Sequence, residues 1–179
     1  MEATARVLVA YGTRYGATAE IAEAIGRTLQ EAGLEVDVRR AGAVRSLEPY
    51  RAVVLGSAVY AGRWRWDALR LLRRPELRYR AVWLFSSGPV GEGSADAGAD
   101  RWVRPQRVER LASSIGARDH TVFGGAVDTD AGFMRKRMAR NIAAEQRDCR
   151  DWERIEAWAR AIATALGGRT SAAPAMKLG

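Results

Sequence analysis

The sequence of 179 residues has little cysteine, histidine or lysine, and each scarcity excludes a class of site. Cys149 is the only cysteine, so no disulfide and no multi-cysteine metal site can form within one chain. This favours a reducing, cytoplasmic setting. His120 is the only histidine, which argues against a metal cluster or a Ser-His-Asp arrangement and favours a structural role. No apolar run approaches the roughly 20 residues of a membrane span, and the N-terminus does not resemble a signal peptide.

Acidic residues are also in the minority, and the net charge is +8. Only Lys136 and Lys177 are lysines among the 29 basic residues, so an arginine-rich proteome accounts for part of the excess. The charge concentrates in residues 63–80 and 133–142. The first segment could bind an anion or form a solvated face. For the second, a solvated face is favoured over contact with an anionic membrane surface. Neither segment interleaves aromatic residues in the manner of a nucleic-acid platform, so we expect no nucleic-acid partner.

Short apolar runs alternate with helical patterns along the chain. β-Branched runs such as "ARVLVAY" (5–11) are typical of strands that are covered on both faces. Apolar residues from Ile21 to Leu29 have the spacing of one helix face. Five such strands separated by helices predict a single α/β doubly wound domain over residues 1–166, followed by a flexible tail over 167–179. Two of the strands are expected to break early, at Gly56 and at Ser86.

The loop "GTRYGAT" after the first strand is suited to holding a phosphate. Thr13 and Thr18 offer hydroxyl groups, Gly16 allows a tight turn, and a helix that starts near Ala17 adds free N–H groups. The loop matches neither a Walker A motif nor a dinucleotide glycine fingerprint. Arg14 could reach the phosphate or point outward. The alternative is an ordinary strand-to-helix turn with threonine as a cap.

Three segments together resemble the flavodoxin-like FMN proteins: "YGTRYGATAEIA", "LGSAVYAGRW" and "FSSGPVG". The first is similar to that family's phosphate loop, and the other two to the loops that hold the isoalloxazine ring. The resemblance implies a flavodoxin-like five-stranded parallel sheet in the order 2-1-3-4-5, with helices on both faces, and FMN rather than FAD as the cofactor. The segments "FGGAVDTD" and "CRDWERIEAWARAIA" resemble the end of the menaquinone-dependent protoporphyrinogen oxidases, which act in heme biosynthesis.

The resemblance implies cofactor contacts in all three segments and no catalytic side chain, since the chemistry belongs to the flavin. The implied cofactor-binding residues are Thr13, Arg14, Tyr15, Gly16, Ala17, Thr18, Ser57, Ala58, Val59, Tyr60, Ala61, Gly62, Ser86, Ser87, Gly88, Pro89, Val90 and Gly91. Tyr60 could stack on the ring or be a buried aromatic residue. Arg63 and Arg65 follow the second segment directly and are the best-placed cations for an anionic substrate.

Three functions remain open at this point. The first is an FMN oxidoreductase that passes electrons from an anionic small molecule to a quinone or another acceptor. The second is a flavodoxin-type electron carrier with a protein redox partner. The third is a binding module that has kept the fold without turnover. We expect a cytoplasmic protein, and contact with the inner face of a membrane is left open.

Overall fold

A computed structural model describes residues 6–88, 104–126 and 148–168. The elements in chain order are β1 (Arg6–Gly12), α1 (Ala17–Glu31), β2 (Glu35–Arg40), β3 (Ala52–Tyr60), β4 (Arg63–Trp64), α2 (Trp66–Leu72), β5 (Ala81–Gly88), α3 (Gln106–Ile115), β6 (Asp119–Gly124) and α4 (Trp152–Ala165), with short 3-10 helices at Ala41–Ala43 and Pro75–Tyr79. None of the helices in these ranges combines the length and the apolar character of a membrane-spanning segment.

Five strands form the predicted parallel sheet. Their order is β2-β1-β3-β5-β6, and every neighbouring pair is parallel. Setting aside the two-residue β4, this is the expected order 2-1-3-4-5 and the flavodoxin-like α/β fold. The sequence did not indicate β4, which pairs antiparallel with the end of β3.

Apolar side chains from both faces of the sheet form two cores. Leu8, Leu55 and Leu84 are fully buried on the face covered by α2 and α3. Val9 and Phe85 are fully buried on the opposite face, which α1 and α4 cover. Since successive strand residues point to opposite faces, a strand covered on both sides must be apolar at every position. The continuous apolar runs in the sequence thus reflect the central strands.

The expected strand breaks at Gly56 and Ser86 are wrong. β3 continues to Tyr60 and β5 continues to Gly88, which places four of the six predicted residues from Ser57 to Gly62, and three of the six from Ser86 to Gly91, within the sheet. Gly56 is needed for packing rather than for a turn, because a Cβ atom there would lie 2.0 Å from the Phe85 ring. Small residues at this point therefore accommodate a neighbouring aromatic ring and do not end the strand.

Candidate cofactor site

The loop after β1 is closed by a local hydrogen bond. The backbone N–H of Gly16 donates to Thr13 Oγ1 at 3.0 Å. Gly16 has φ 102° and ψ −31°, a left-handed conformation that is strained for any residue with a side chain. α1 begins at the next residue, and the Gly16 carbonyl accepts from the amides of Ala19 and Glu20. The glycine in this loop is thus required by the turn that starts the helix.

This loop has the features of an anion site. A Cβ atom at Gly16 would meet no other atom within 4 Å, so the backbone there faces open space. The amides of Ala17 and Thr18 have no hydrogen-bond partner within the described ranges, as expected for the first turn of a helix. Thr13 and Thr18 are nearly fully buried, and Thr13 Oγ1 accepts the N–H of Gly16 in the same loop. The donor set and the open approach both fit a phosphate group.

A tight hairpin follows β3 on the same edge of the sheet. Tyr60 pairs with Arg63 of β4, and the two residues between them have positive φ values, 47° for Ala61 and 68° for Gly62. Two successive positive φ values are typical of a type I′ turn. Ala61 is the one non-glycine residue with positive φ in the described part of the chain, and such strain clusters at ligand sites.

The phosphate loop and this hairpin touch each other through their aromatic residues. The Tyr15 and Tyr60 rings meet edge to face, with centroids 5.9 Å apart. The Arg14 guanidinium lies 5.2 Å from the Tyr15 ring centroid. Tyr60 is 37% exposed, so it is not the buried aromatic residue of the alternative interpretation. Its exposed surface can still contact a flat ligand.

The third predicted segment lies beside the second. Ser57 pairs with Ser86, and Ala58 pairs with Ser87. Ser57 Oγ also accepts the N–H of Arg65 at 2.9 Å, which fixes the return of the hairpin. The sheet thus brings together the predicted residues from Ser57 to Gly62 and from Ser86 to Gly88. Three predicted residues, Pro89, Val90 and Gly91, lie outside the described residues, as does the basic segment 133–142.

Beneath these segments lies a chain of hydrogen-bonded side chains, buried except for Glu109, that the sequence analysis missed. The indole N–H of Trp64 donates to Ser86 Oγ at 2.8 Å, and Ser86 Oγ lies 3.0 Å from His120 Nε2. His120 Nδ1 lies 2.6 Å from Glu109 Oε1. The single histidine thus lies between a serine and a glutamate, a combination that the argument against a Ser-His-Asp arrangement did not include. Ser86 is fully buried, however, so the arrangement does not present a nucleophile to solvent.

Burial lowers the pKa of His120 below its ordinary value of 6.5, although Glu109 opposes the shift. The side chain is only 5% exposed. The neutral imidazole therefore remains the stable form over more of the pH range than in an exposed histidine.

A second cluster of charges lies at the start of α1. Arg150 Nη1 is 2.5 Å from a carboxylate oxygen of Glu20, in the first turn of the helix, and Arg150 also binds both carboxylate oxygens of Asp148. Asp148 in turn pairs with Ala126 beyond β6. Arg150 thus joins the chain before α4 to the helix that carries the phosphate loop, and it neutralises an acidic group near that loop.

The two arginines predicted to bind a substrate differ in their surroundings. Arg63 is exposed on the hairpin. Arg65 is half-buried, and its Nε atom is buried without a hydrogen-bond partner. A Cβ atom at Gly12 would lie 2.9 Å from the Arg65 Cβ, so Arg65 stands beside the residue that leads into the phosphate loop.

Comparisons with known proteins identify the family and the fold. A family model described as a flavodoxin domain matches residues 8–152. A flavodoxin from the domain Archaea superimposes with a TM-score of 0.60 at 13% identity, over 90% of this chain and 99% of that one. Oxidised flavodoxin 2 from Bacillus cereus gives a TM-score of 0.60 at 22% identity, over 90% and 98%.

A larger protein contains the same fold as a part. The rubredoxin oxygen:oxidoreductase of Desulfovibrio gigas superimposes with a TM-score of 0.58 at 16% identity, over 90% of this chain and 36% of that one. At these identities the structural likeness shows the fold alone. No curated protein matches the sequence. The family model matches most of the chain, so the chain belongs to the flavodoxin domain family, and its cofactor is FMN.

Proposed function

We propose that this protein is an FMN-dependent oxidoreductase that accepts electrons from an anionic substrate and passes them to a quinone or another acceptor in the cytoplasm. Bound FMN supplies the redox chemistry, and the protein binds and orients the ring and the substrate. The phosphate loop from Thr13 to Thr18 would hold the phosphate. The hairpin after β3 and the end of β5 would hold the ring.

The observation that carries this proposal is the unpartnered Nε of Arg65. Removing a guanidinium N–H from water is costly unless a hydrogen-bond acceptor replaces the water. No carboxylate within the described ranges lies within ion-pair distance of Arg65. Arg65 therefore has a buried Nε–H without an acceptor, and it stands beside Gly12, the residue that leads into the proposed phosphate loop. Together with Arg63, it is suited to bind a carboxylate-bearing molecule.

The sequence resemblance suggests which anion to test first. Residues near the C-terminal end of the domain resemble the menaquinone-dependent protoporphyrinogen oxidases, and a porphyrinogen bears carboxylates. Family membership and fold do not by themselves favour this substrate over other anions. Protoporphyrinogen oxidation, followed by porphyrin fluorescence, is the direct assay.

A matched set of variants tests the role of the two arginines. Changing Arg63 and Arg65 together to Gln should raise KM for a carboxylate substrate about tenfold or more, since a close charge pair near a surface contributes on the order of 1–4 kcal/mol. The effect should shrink at high salt. Arg27→Gln is the control for each single substitution: it removes one charge from an exposed residue ten positions along α1, about 15 Å from its N-terminus.

Affinities for FMN and riboflavin separate substrate binding from cofactor binding. If Arg65 serves the substrate, Arg65→Gln should leave both affinities unchanged. If only FMN binding weakens, Arg65 contacts the phosphate instead, and the argument for an anionic substrate loses its main support. If KM and its salt dependence equal those of the wild type, the proposal is wrong.

A second function is favoured by the length of the structural neighbours. The two flavodoxins described above are covered over 99% and 98% of their own chains, so this fold stands alone in them. An electron carrier that docks on an acidic redox protein would also use Arg63 and its surroundings. Turnover with a small anion in the absence of any partner protein distinguishes the oxidoreductase from the carrier.

A further inference from the structure

The buried chain from Trp64 to Glu109 has one consistent set of donors and acceptors. An indole N–H can only donate, so Ser86 Oγ accepts from Trp64. The single hydroxyl proton of Ser86 is then available for His120 Nε2. This leaves the ring proton on Nδ1, which donates to the Glu109 carboxylate. The tautomer follows from the hydrogen-bond network, and every member has a partner when His120 is neutral.

The chain joins the two segments that flank the predicted ring site. Trp64 belongs to β4, which pairs with Val59 at the end of β3. Ser86 is followed directly by Ser87 and Gly88, both predicted to contact the ring. The Trp64–Ser86 bond is therefore a side-chain link between the hairpin and the end of β5. At the other end of the chain, Glu109 lies on α3 and its side chain is 43% exposed.

We propose that Glu109 and His120 are positioning residues for the isoalloxazine pocket. Their hydrogen bonds keep the Ser86 hydroxyl oriented toward His120 Nε2, and this fixes the spacing between the hairpin and β5. Protonation of His120 breaks this arrangement. The inference rests on the ring lying between these two segments.

Proton accounting explains why protonation breaks this arrangement. A protonated His120 would donate from Nε2 to Ser86 Oγ, which already accepts from Trp64. The Ser86 proton must then find another acceptor in a fully buried place, and an unsatisfied buried donor is costly. The charged groups that act on His120 are Glu109 on α3, Arg104 before α3 and Asp119 on β6. Glu109 and Asp119 favour the protonated ring, whereas burial and Arg104 oppose it.

The test compares two glutamates of similar exposure. Glu109→Gln keeps the shape of the side chain and an acceptor for Nδ1 but removes the charge. Glu156→Gln makes the same change on α4, where the 49% exposed side chain pairs only with Arg160 among the described residues. Visible circular dichroism of bound FMN, at saturating FMN, is followed from about pH 8 to about pH 4.5. The cofactor's own phosphate ionises near pH 6 and affects all variants alike.

We expect a one-proton transition in the wild type below about pH 6.5, the ordinary pKa of histidine. Glu109→Gln should move its midpoint to lower pH, because the carboxylate that favours the protonated ring is gone. Glu156→Gln should leave the midpoint unchanged. Ser86→Ala should abolish the transition and alter the flavin spectrum at every pH.

Equal midpoints in the two glutamate variants, or a wild type without a transition, would overturn the proposal. So would a Ser86→Ala protein with the wild-type transition. A measurement on the apoprotein distinguishes a failure of this proposal from a failure of FMN binding. The Trp64 and His120 rings meet edge to face at 5.8 Å, so the fluorescence difference between the wild-type apoprotein and Trp64→Phe should follow the same titration. If this transition is present but FMN does not bind, only the cofactor assignment fails.

Discussion

The two ends of the proposed cofactor site are held in different ways. At the phosphate end, one hydrogen bond spans three residues, from Gly16 to Thr13. At the ring end, the bonds join residues far apart in sequence: Trp64 and Ser86 are separated by 22 positions, and Ser86 and His120 by 34. The phosphate end is therefore a local motif, whereas the ring end depends on the assembled sheet. Substitutions at the phosphate end should therefore mainly weaken FMN binding, whereas substitutions at the ring end should mainly lower the free energy of unfolding.

The largest expected effect is at the phosphate end. Gly16→Val should raise the Kd for FMN by about 100-fold or more, because its side chain would project into the open space over the loop and disturb donors that contribute about 1.5–3 kcal/mol each to a charged group. Fluorescence titration with FMN gives the affinity. Thr13→Ala combined with Thr18→Ala should have a similar effect through the loss of two hydroxyl groups.

Gly33→Val separates backbone strain from loss of the site. Gly33 follows α1 with φ 86°, and a Cβ atom there also meets no neighbour within 4 Å. Both glycine variants should lower the free energy of unfolding, but only the Gly16 variant should lose FMN. If both retain FMN with wild-type affinity, the phosphate lies elsewhere.

A smaller and mainly structural effect is expected at the ring end. Ser86→Ala removes the acceptor of the buried Trp64 indole, and an unsatisfied buried donor costs about 1–3 kcal/mol. Urea unfolding of the apoprotein should show this loss. Ser46→Ala, which removes an exposed hydroxyl bonded to the Glu48 amide, serves as a comparison and should cost less. Equal losses of unfolding free energy in the two variants would mean that the buried hydrogen bonds of Ser86 stabilise the fold no more than one exposed hydrogen bond does.

The smallest effect is expected for Arg150, between the phosphate loop and the segment before α4. Arg150→Gln should weaken FMN binding a few-fold, because it leaves the Glu20 carboxylate uncompensated near the bound phosphate. The effect should be modest because Glu20 is 58% exposed and exposed ion pairs contribute about 0.2–1 kcal/mol. Adding Glu20→Gln should restore the affinity. If the double variant binds no better than Arg150→Gln, repulsion by Glu20 is not the cause.

The same contrast explains what could be predicted from the sequence. The parallel sheet, its order and the phosphate loop follow from local patterns and from a resemblance in short segments. Thr13, Gly16 and Thr18 lie in one short loop, so residues that are close in the sequence are also close in the structure. Six consecutive residues were therefore enough to predict the loop.

The buried polar chain could not be predicted in this way. The sequence predicts a structural role for His120, and nothing in the neighbouring residues indicates its contacts with Ser86 and Glu109. Only the register of β5 and β6, with Leu84 beside His120, places the imidazole near Ser86. The strand break predicted at Gly56 is wrong for a related reason: Gly56 packs against the Phe85 ring on the adjacent strand, and the local sequence does not reveal this contact.

The most direct test of the account is to identify the flavin that the isolated protein carries. The protein is first examined by absorption, then heated, and the released compound is identified by mass. We predict an oxidised-flavin spectrum and FMN at about one molecule per chain, because one phosphate loop follows β1 and no dinucleotide glycine fingerprint is present. FAD as the dominant species, or a colourless protein that does not take up added FMN, would contradict the account.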